Sequence, residues 1–191
     1  SILKKLRVNI VFIPNKKDIF SFRPKNSLYL NSFSKKLCGQ FRKGHFEGVL
    51  NVVNRFLEII KPRRIFLGNK DLQQLVLIKK HILKKKINTK IVSCKTIRER
   101  NGIACSTRNL LLNINEIKIA SKIYKILSKE KKKLSINLKK VKEKIIDVGG
   151  KNIDYLEIYN INTLKKSNKL NRNTKLFIAY YINNVRLIDN L

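Results

Sequence analysis

Several residue types that would mark a particular class of protein are rare or missing in this chain of 191 residues. It has no methionine or tryptophan and only 3 cysteines, Cys38, Cys94 and Cys105. Because these cysteines are widely spaced and form no CxxC pair, the sequence predicts neither a disulfide framework nor a zinc site. We therefore expect a cytoplasmic protein without a structural metal.

Long apolar runs are missing too. No stretch approaches the roughly 20 residues that a membrane span requires, and no signal peptide opens the chain, so we expect a soluble protein without a membrane partner. The first residues, SILKKLRVNIVFIP, have the pattern of a helix end followed at once by a strand over Val8 to Ile13. Since a domain seldom begins halfway through such a unit, we expect the chain to be a piece of a longer protein.

Acidic residues are scarce. Asp and Glu total 12 against 44 Lys and Arg, which gives a formal net charge of +32. So basic a chain is a candidate for nucleic-acid binding, and its Tyr and Phe side chains could stack on RNA bases. The lysines, however, are spread through every segment, a bias that changes solubility more than it defines a site. We expect no specific nucleic-acid partner, and a basic RNA-binding protein is the alternative.

The residues that are present predict an α/β fold with a parallel sheet. Apolar residues make up 43% of the chain, enough to form a core. Helical spacing predicts a helix over about 46 to 60, which Pro62 ends. RIFLG then has the pattern of a buried strand, DLQQLVLIKKHILKKK of a second helix and TKIVSCKTI of another strand. Strands separated by such helices pair in parallel.

The second half of the chain has a different pattern. Two helices are predicted at about 115 to 128 and 135 to 147, with the lysine-rich segment 129 to 133 as a solvated helix end or loop. NIDYLEIYNINTL and KLFIAYYINNVRLIDN predict strands, the second broken by a hairpin turn at Asn183-Asn184.

These patterns divide the chain into two predicted domains. Residues 1–97 would form the C-terminal part of a domain with the parallel sheet, and residues 98–191 a smaller α+β domain.

A polar cluster, GNKDLQQ, follows the first predicted strand. Ligands of parallel sheets bind beyond the carboxyl ends of the strands, where helix N-termini expose amides. Gly68 would let a ligand approach the backbone, Lys70 would bind a phosphate, and Asp71 would accept from ribose hydroxyls. At least one of Gln73 and Gln74 should face the end of the sheet. The alternatives are an ordinary turn with Asp71 as a helix cap, and glutamines on the surface.

A second polar cluster, CSTRN, lies at the predicted domain junction. Ser106 and Thr107 place two hydroxyls beside Arg108, a combination suited to binding an anion. Alone, the cluster is equally typical of a helix cap, with Cys105 as a small buried apolar residue.

Together these segments resemble a known family. GHFEGVLNVVNRFLEIIKPRRIFLGNKDLQQLVLIKK, TIRERNGIACSTRNLLLN, DYLEIYN and LIDN are similar, in order and spacing, to the pantoate–beta-alanine ligases. The resemblance implies a nucleotidyltransferase-type, Rossmann-like domain and a smaller C-terminal domain. It also implies condensation of pantoate with β-alanine through a pantoyl adenylate, with ATP and Mg²⁺, and a homodimer.

The resemblance assigns roles to individual residues. Gly68 and Asp71 would lie near the ribose, Lys70 at the phosphates, and Gln74 would bind pantoate. The implied ATP-binding residues are Gly68, Asn69, Lys70, Asp71, Ile97, Cys105, Ser106, Thr107 and Arg108. Ile97 would contact adenine through its backbone, and the loop from Cys105 to Arg108 would close over the triphosphate.

The sequence departs from the family pattern at two of these residues and at Leu72, which lies beside them. Asn69 stands where the family usually has glutamate, Thr107 where it has serine, and Leu72 where an aromatic residue is common. Thr107 keeps its hydroxyl and Asn69 loses only a charge. We therefore expect altered rather than abolished ATP affinity.

The paired-histidine motif of the family and a further substrate-binding glutamine do not occur in these residues. His45 belongs to a different element, KGHFEGV, and we expect it to be a structural histidine at a helix start, while His81 should lie on a helix surface. No catalytic residue is therefore predicted within the chain, which alone should be nearly inactive. A decayed remnant of the ligase is a further alternative.

Overall fold

A computed structural model describes residues 2–133 and 135–191, so that Ser1, the start of the first predicted domain, and Leu134 lie outside the described residues. Three 3₁₀ turns cover Ser32–Lys35, Asn69–Asp71 and Thr107–Leu111. The helices are α1 (Ile2–Lys5), α2 (Lys16–Phe20), α3 (Cys38–Phe41), α4 (His45–Ile60), α5 (Leu72–Lys84), α6 (Ile114–Glu130) and α7 (Leu138–Asp147). The strands are β1 (Arg64–Gly68), β2 (Lys90–Cys94), β3 (Lys151–Asn160), β4 (Lys166–Ser167), β5 (Thr174–Ile182) and β6 (Val185–Asn190).

Strands β1 and β2 form the predicted parallel pair, with α5 as the crossover helix. Arg64 lies opposite Lys90, and Gly68 lies opposite Cys94. The carboxyl ends of both strands therefore meet at one edge, beside the first turn of α5. This confirms the α/β class and places the GNKDLQQ segment where parallel sheets bind ligands.

A second, antiparallel sheet has the strand order β4-β3-β5-β6. Its two faces bury different side chains because neighbouring residues of a strand point to opposite sides. Tyr155 and Phe177 face the cluster formed with α4 and α5, whereas Leu156 and Ile178 face the cluster formed with α6 and α7. Both faces are covered, which explains the nearly continuous apolar run of β5.

The predicted hairpin turn joins β5 to β6. Ile182 pairs with Val185, so Asn183 and Asn184 form a two-residue loop, with Asn183 at φ 48°. The domain boundary between residues 97 and 98 lies just after β2 and stays a prediction.

The predicted strand over Val8 to Ile13 is wrong. Helix α1 ends at Lys5, and the following residues are neither helix nor strand. Ile10 and Ile13 are 84% and 86% exposed. A strand requires a neighbouring backbone to satisfy its N–H and C=O groups, and none of the described strands pairs with this segment.

The predicted surface position of His81 is also wrong, since its side chain is fully buried between α4 and α5. The flanking lysines suggested an exposed stretch. Helical geometry instead puts His81 on the same face as Leu77 and Ile78, which are buried core residues.

The lysine-rich segment between α6 and α7 is fixed by one acidic residue. Glu130 is buried and pairs with Lys133 at 2.7 Å and with Lys144 at 2.9 Å. Helix α7 starts at Leu138, later than predicted, because Asn137 caps it by accepting from the Lys140 N–H at 3.1 Å. Among the described helices, none combines the length and apolarity required to cross a bilayer.

Candidate active site

Gly68 ends β1 with an ordinary extended backbone, φ −73° and ψ 134°. A Cβ atom added at this position would meet no heavy atom within 4 Å. Neither the conformation nor the packing of the described chain therefore requires a glycine here. What the glycine provides is open space beside the backbone, which suits the close approach of a ligand.

Two charged side chains follow Gly68, those of Lys70 and Asp71. Asp71 precedes α5 but makes no side-chain cap hydrogen bond, which excludes the capping role. Within the described residues, no ion pair or hydrogen bond engages the Lys70 ammonium. One cation and one anion thus remain available at the end of the sheet.

The two adjacent glutamines have different environments. Gln73 is 6% exposed, accepts from the Cys38 N–H at 3.1 Å, and donates to the carbonyls of Phe33 at 2.9 Å and Lys36 at 2.7 Å. Gln74 is half-buried, and its amide has no hydrogen-bond partner in the described part of the chain. Gln73 is therefore structural, and Gln74 offers a free donor and acceptor.

The second segment, residues 97 to 109, is folded into a small hairpin. The Cys105 N–H donates to the Ile97 carbonyl at 2.9 Å, and the Glu99 N–H donates to the Ile103 carbonyl at 2.9 Å. Ser106 caps the following 3₁₀ turn by accepting from the Arg108 N–H at 3.3 Å. The capping alternative is therefore observed for Ser106, whereas Cys105 is exposed rather than buried.

Two clefts meet at Lys70. The first lies between the second segment and β6, and its lining includes Lys70, Ser106, Arg108, Asn109, Arg186 and Asp189. The second lies against the start of α4, and its lining includes Cys38, Arg42, His45, Lys70, Asp71 and Gln74. The Lys70 side chain thus lines both the cleft with Ser106 and Arg108 and the cleft with Gln74.

The first cleft also holds an unsatisfied acceptor. Asn109 Nδ2 donates to Glu99 Oε1 at 2.6 Å and to the Ala104 carbonyl at 3.1 Å. Its Oδ1 is buried and has no partner among the described residues. A buried carbonyl oxygen without a partner is costly, so a donor from a ligand or water would stabilise it.

Other predicted site residues lie outside both clefts. Asn69 lines a different groove, beside Asn162 and Lys175. Ile97 is 70% exposed, and Cys105 and Thr107 are also exposed. The described structure therefore brings Lys70, Asp71, Gln74, Ser106 and Arg108 to the two clefts, and the ligand roles of all the predicted residues stay predictions.

Several residues of the clefts were not predicted. Arg42 and His45 share the second cleft with Gln74, and Arg42 NH1 lies 3.0 Å from His45 Nε2. Burial, followed by the Arg42 charge, lowers the pKa of His45, so a neutral ring that accepts from Arg42 is favoured. Arg42 lies three residues before His45, the first residue of α4, and the short connection between them brings the two side chains together.

Among the described residues, no group of three or more His, Cys, Asp or Glu could hold a metal ion. Cys38, Cys94 and Cys105 are free thiols.

Comparison with solved structures first defines the fold. Pantothenate synthetase from Thermus thermophilus superposes with a TM-score of 0.85 at 24% identity, over 100% of this chain and 71% of that one. The fold is therefore that of the pantothenate synthetases.

More similar sequences define the family. The family model for Pantoate-beta-alanine ligase matches residues 1–191. A pantothenate synthetase of Francisella tularensis subsp. novicida is 38% identical over 195 residues, and one of Flavobacterium psychrophilum is 35% identical over 190 residues. These alignments cover 99% and 95% of this chain. The chain belongs to the pantoate–beta-alanine ligase family.

A ligand-bound structure is among the similar proteins. The crystal structure of pantoate-beta-alanine ligase from Francisella tularensis, complexed with beta-gamma ATP and beta-alanine, matches with a TM-score of 0.80 at 38% identity. The match covers 100% of this chain and 67% of that chain. The present chain spans 66% of the length of the Francisella tularensis subsp. novicida relative and 67% of that of the Flavobacterium psychrophilum relative.

Proposed function

We propose that this chain provides the nucleotide and pantoate sites of an ATP-dependent pantoate–beta-alanine ligase. The observation that carries the proposal is the position of Lys70, which lines both the cleft with Arg108 and the cleft with Gln74. A cation between an anion-binding cluster and a polar pocket suits a reaction in which a bound carboxylate attacks a bound phosphate.

In the first step, an oxygen of the pantoate carboxylate attacks the α-phosphorus of ATP, and pyrophosphate leaves. Negative charge builds on the phosphate oxygens as the new bond forms. Lys70 and Arg108 would stabilise this charge, helped by the hydroxyls of Ser106 and Thr107. Because Lys70 is not engaged elsewhere in the described chain, it loses no internal partner when it binds the nucleotide.

In the second step, the amine of β-alanine attacks the carbonyl carbon of the pantoyl adenylate. The amide bond of pantothenate forms, AMP leaves and a proton is released. The Gln74 amide would hold the pantoyl group in place through both steps, since it can donate to a carboxylate or accept from a hydroxyl. Asp71 would accept from a ribose hydroxyl, and the backbone at Gly68 would approach the same sugar.

Magnesium would enter this site together with the nucleotide. Mg²⁺ commonly keeps several waters and is bound largely by substrate phosphates, which fits the lack of a carboxylate cluster in the described residues. When bound, it would neutralise phosphate charge.

The ligand complex of the Francisella tularensis relative supports ATP and β-alanine as substrates. Because the chain spans 66% of the length of the Francisella tularensis subsp. novicida relative, we propose that it binds ATP by itself but turns over little. A cytoplasmic homodimer is proposed from the family resemblance.

The test is a calorimetric titration of the chain with Mg-ATP. Lys70→Ala should weaken ATP binding about tenfold or more, because it removes a charge-assisted contact worth roughly 1.5–3 kcal/mol. Lys84→Ala is the matched control, since Lys84 is an exposed lysine of α5 that lines neither cleft nor the groove at Asn69. A wild-type chain that binds no ATP would contradict the proposed site.

Two further assays separate the alternatives. AMP release that depends on both pantoate and β-alanine should be weak for the chain alone, and robust turnover would show that the chain is catalytically complete. Filter binding of RNA across salt concentrations should show weak retention, whereas tight binding with a steep salt slope would favour the RNA-binding alternative.

A further inference from the structure

The last strand, β6, holds the turn that carries Lys70. Asn190 Nδ2 donates to the carbonyl of Asn69 at 2.8 Å and to that of Lys70 at 2.9 Å. Both hydrogens of one amide are thus used on two successive carbonyls of the 3₁₀ turn. Residue 190 is only 8% exposed, so the Asn190 side chain is shielded from solvent where it makes these hydrogen bonds.

These hydrogen bonds also orient the N–H groups of the turn. In a planar trans peptide the C=O and the following N–H point in opposite directions. With the carbonyls of Asn69 and Lys70 directed at Asn190, the N–H groups of Lys70 and Asp71 point away from β6. Amides in the first turn before a helix are suited to binding phosphate oxygens.

The neighbouring residue of β6 fixes the second ligand segment. Asp189 forms two parallel hydrogen bonds with the Arg98 guanidinium, at 2.7 and 2.9 Å. Arg98 also donates to the Gly102 carbonyl at 3.0 Å and stacks over Tyr124, 4.5 Å from the ring centroid. Because Arg98 follows Ile97 directly, these contacts fix the start of the hairpin that leads to Arg108.

One strand can serve both segments because its side chains alternate. Asn190 points to the side of α5, as does Ile188, whereas Asp189 and Leu187 point to the side of α6. The backbone adds a third contact, since Arg108 NH1 donates to the Arg186 carbonyl at 3.3 Å. The two halves of the first cleft are thus joined through three residues of β6.

We propose that Asn190 is a positioning residue for the nucleotide, which holds Lys70 and the adjacent amides in their binding geometry, and that Asp189 does the same for the segment ending at Arg108. The proposal rests on the proposed function, because the ligand it positions for is ATP. Neither side chain has to touch the nucleotide. Their effect is that ATP meets a site already formed, so little binding energy is used to order it.

The experiment compares Asn190→Ala with Ile182→Val by calorimetric titration with Mg-ATP and by thermal unfolding. Ile182 is buried on the α6 side of β5 and lines neither cleft, so its truncation is the control for a general loss of stability. We expect Asn190→Ala to weaken ATP binding about tenfold and Ile182→Val to leave it unchanged. Asp189→Asn, which removes the charge paired with Arg98, should weaken binding by a similar factor.

A second measurement detects positioning directly. In spectra of the ¹⁵N-labelled chain without ligand, Asn190→Ala should shift or broaden the amide signals of Lys70 and Asp71, and Ile182→Val should not. At saturating ATP, these signals should move towards the positions that they have in the ATP-bound wild-type chain. If the alanine variant does not fold, Asn190→Ser keeps one donor and should give a smaller loss of affinity.

The outcomes distinguish the two proposals. If wild-type and Asn190→Ala chains bind ATP equally, or if Ile182→Val loses as much affinity as Asn190→Ala, the positioning role is wrong and the proposed function stands. If the wild-type chain binds no ATP, the proposed function is wrong and the role of Asn190 is refuted with it.

Discussion

His81 and Asn54 form a hydrogen bond in the interior between α4 and α5, with His81 Nε2 3.0 Å from Asn54 Oδ1. The Tyr29 N–H donates to His81 Nδ1 at 3.2 Å, so Nδ1 must be an acceptor and Nε2 carries the proton. Asn54 in turn donates to the Asn26 carbonyl at 2.8 Å. The ring is therefore held in one neutral tautomer, and a second proton would displace the Tyr29 N–H.

This arrangement predicts a loss of stability in acid. Burial, and then the charge of Lys85, lowers the pKa of His81 below its ordinary value of 6.5. As the pH falls, His81 therefore binds a proton in the unfolded state before it does so in the folded state. The contribution of neutral His81 to the free energy of unfolding should be complete above about pH 6.5 and should be lost as the pH drops from there towards the lowered folded-state pKa. Urea unfolding at pH 8, 6 and 5 measures the decrease.

The His81→Gln variant tests the source of that pH dependence. It should be destabilised at pH 8 by about 2–4 kcal/mol, because two buried hydrogen bonds are disturbed, and its stability should vary less with pH. Some dependence should remain, since burial and Arg42 lower the pKa of His45 as well. An unchanged slope in His81→Gln would contradict the assignment to His81.

Gly68→Ala should separate ligand binding from folding. Because a Cβ at residue 68 meets nothing and the backbone is ordinary, the free energy of unfolding should change by less than about 0.5 kcal/mol. ATP affinity should fall about tenfold or more if the sugar and phosphates approach this backbone. Gly48→Ala, in helix α4 and also in open space, is the control, with stability raised by about 0.5–1 kcal/mol and affinity unchanged.

The two glutamines should respond to alanine substitution in opposite ways. Gln73→Ala leaves one buried N–H and two carbonyls without their partner, so unfolding should become easier by about 3 kcal/mol. Gln74→Ala breaks no described hydrogen bond and should leave the melting temperature unchanged, while weakening pantoate binding in the presence of ATP. The reverse pattern would assign the pantoate contact to Gln73.

Thiol labelling should report the closure of the second segment. Cys94 and Cys105 are exposed and Cys38 is buried, so two thiols should react rapidly with a disulfide reagent and the third only after unfolding. In a Cys94→Ser variant, saturating ATP should slow the labelling of Cys105 if the loop from Cys105 to Arg108 covers the triphosphate. Labelling at the same rate with and without ATP would place Cys105 outside the nucleotide contact.

The parallel half of the fold could be predicted because its signals are local. RIFLG and KIVSC are apolar strands on either side of a helix of sufficient length, and such a unit has one common pairing. The position of residues 68 to 74 at the carboxyl end of β1 follows from the same rule. The burial of a side chain and the pairing of a strand, by contrast, depend on partners elsewhere in the chain. For this reason the prediction put His81 on the surface and Val8 to Ile13 in a strand.

The role proposed for Asn190 illustrates what a sequence conceals. Asn190 lies 120 residues after Lys70, and no spacing rule connects a terminal asparagine with a turn so distant. Its place depends on the register of β6 against β5, where Asn190 lies opposite Phe177. Only a three-dimensional structure shows that the LIDN segment meets both ligand segments.

The two-residue turn at Asn183-Asn184 also limits how this gene can vary in length. Side chains of a strand alternate between faces, so a shift of β6 by one residue would exchange the directions of Asp189 and Asn190. Codon insertions and deletions in the turn should therefore be selected against, unlike those in most surface loops. In a library of single-codon indels, this exposed hairpin should be as intolerant as the buried strands it joins.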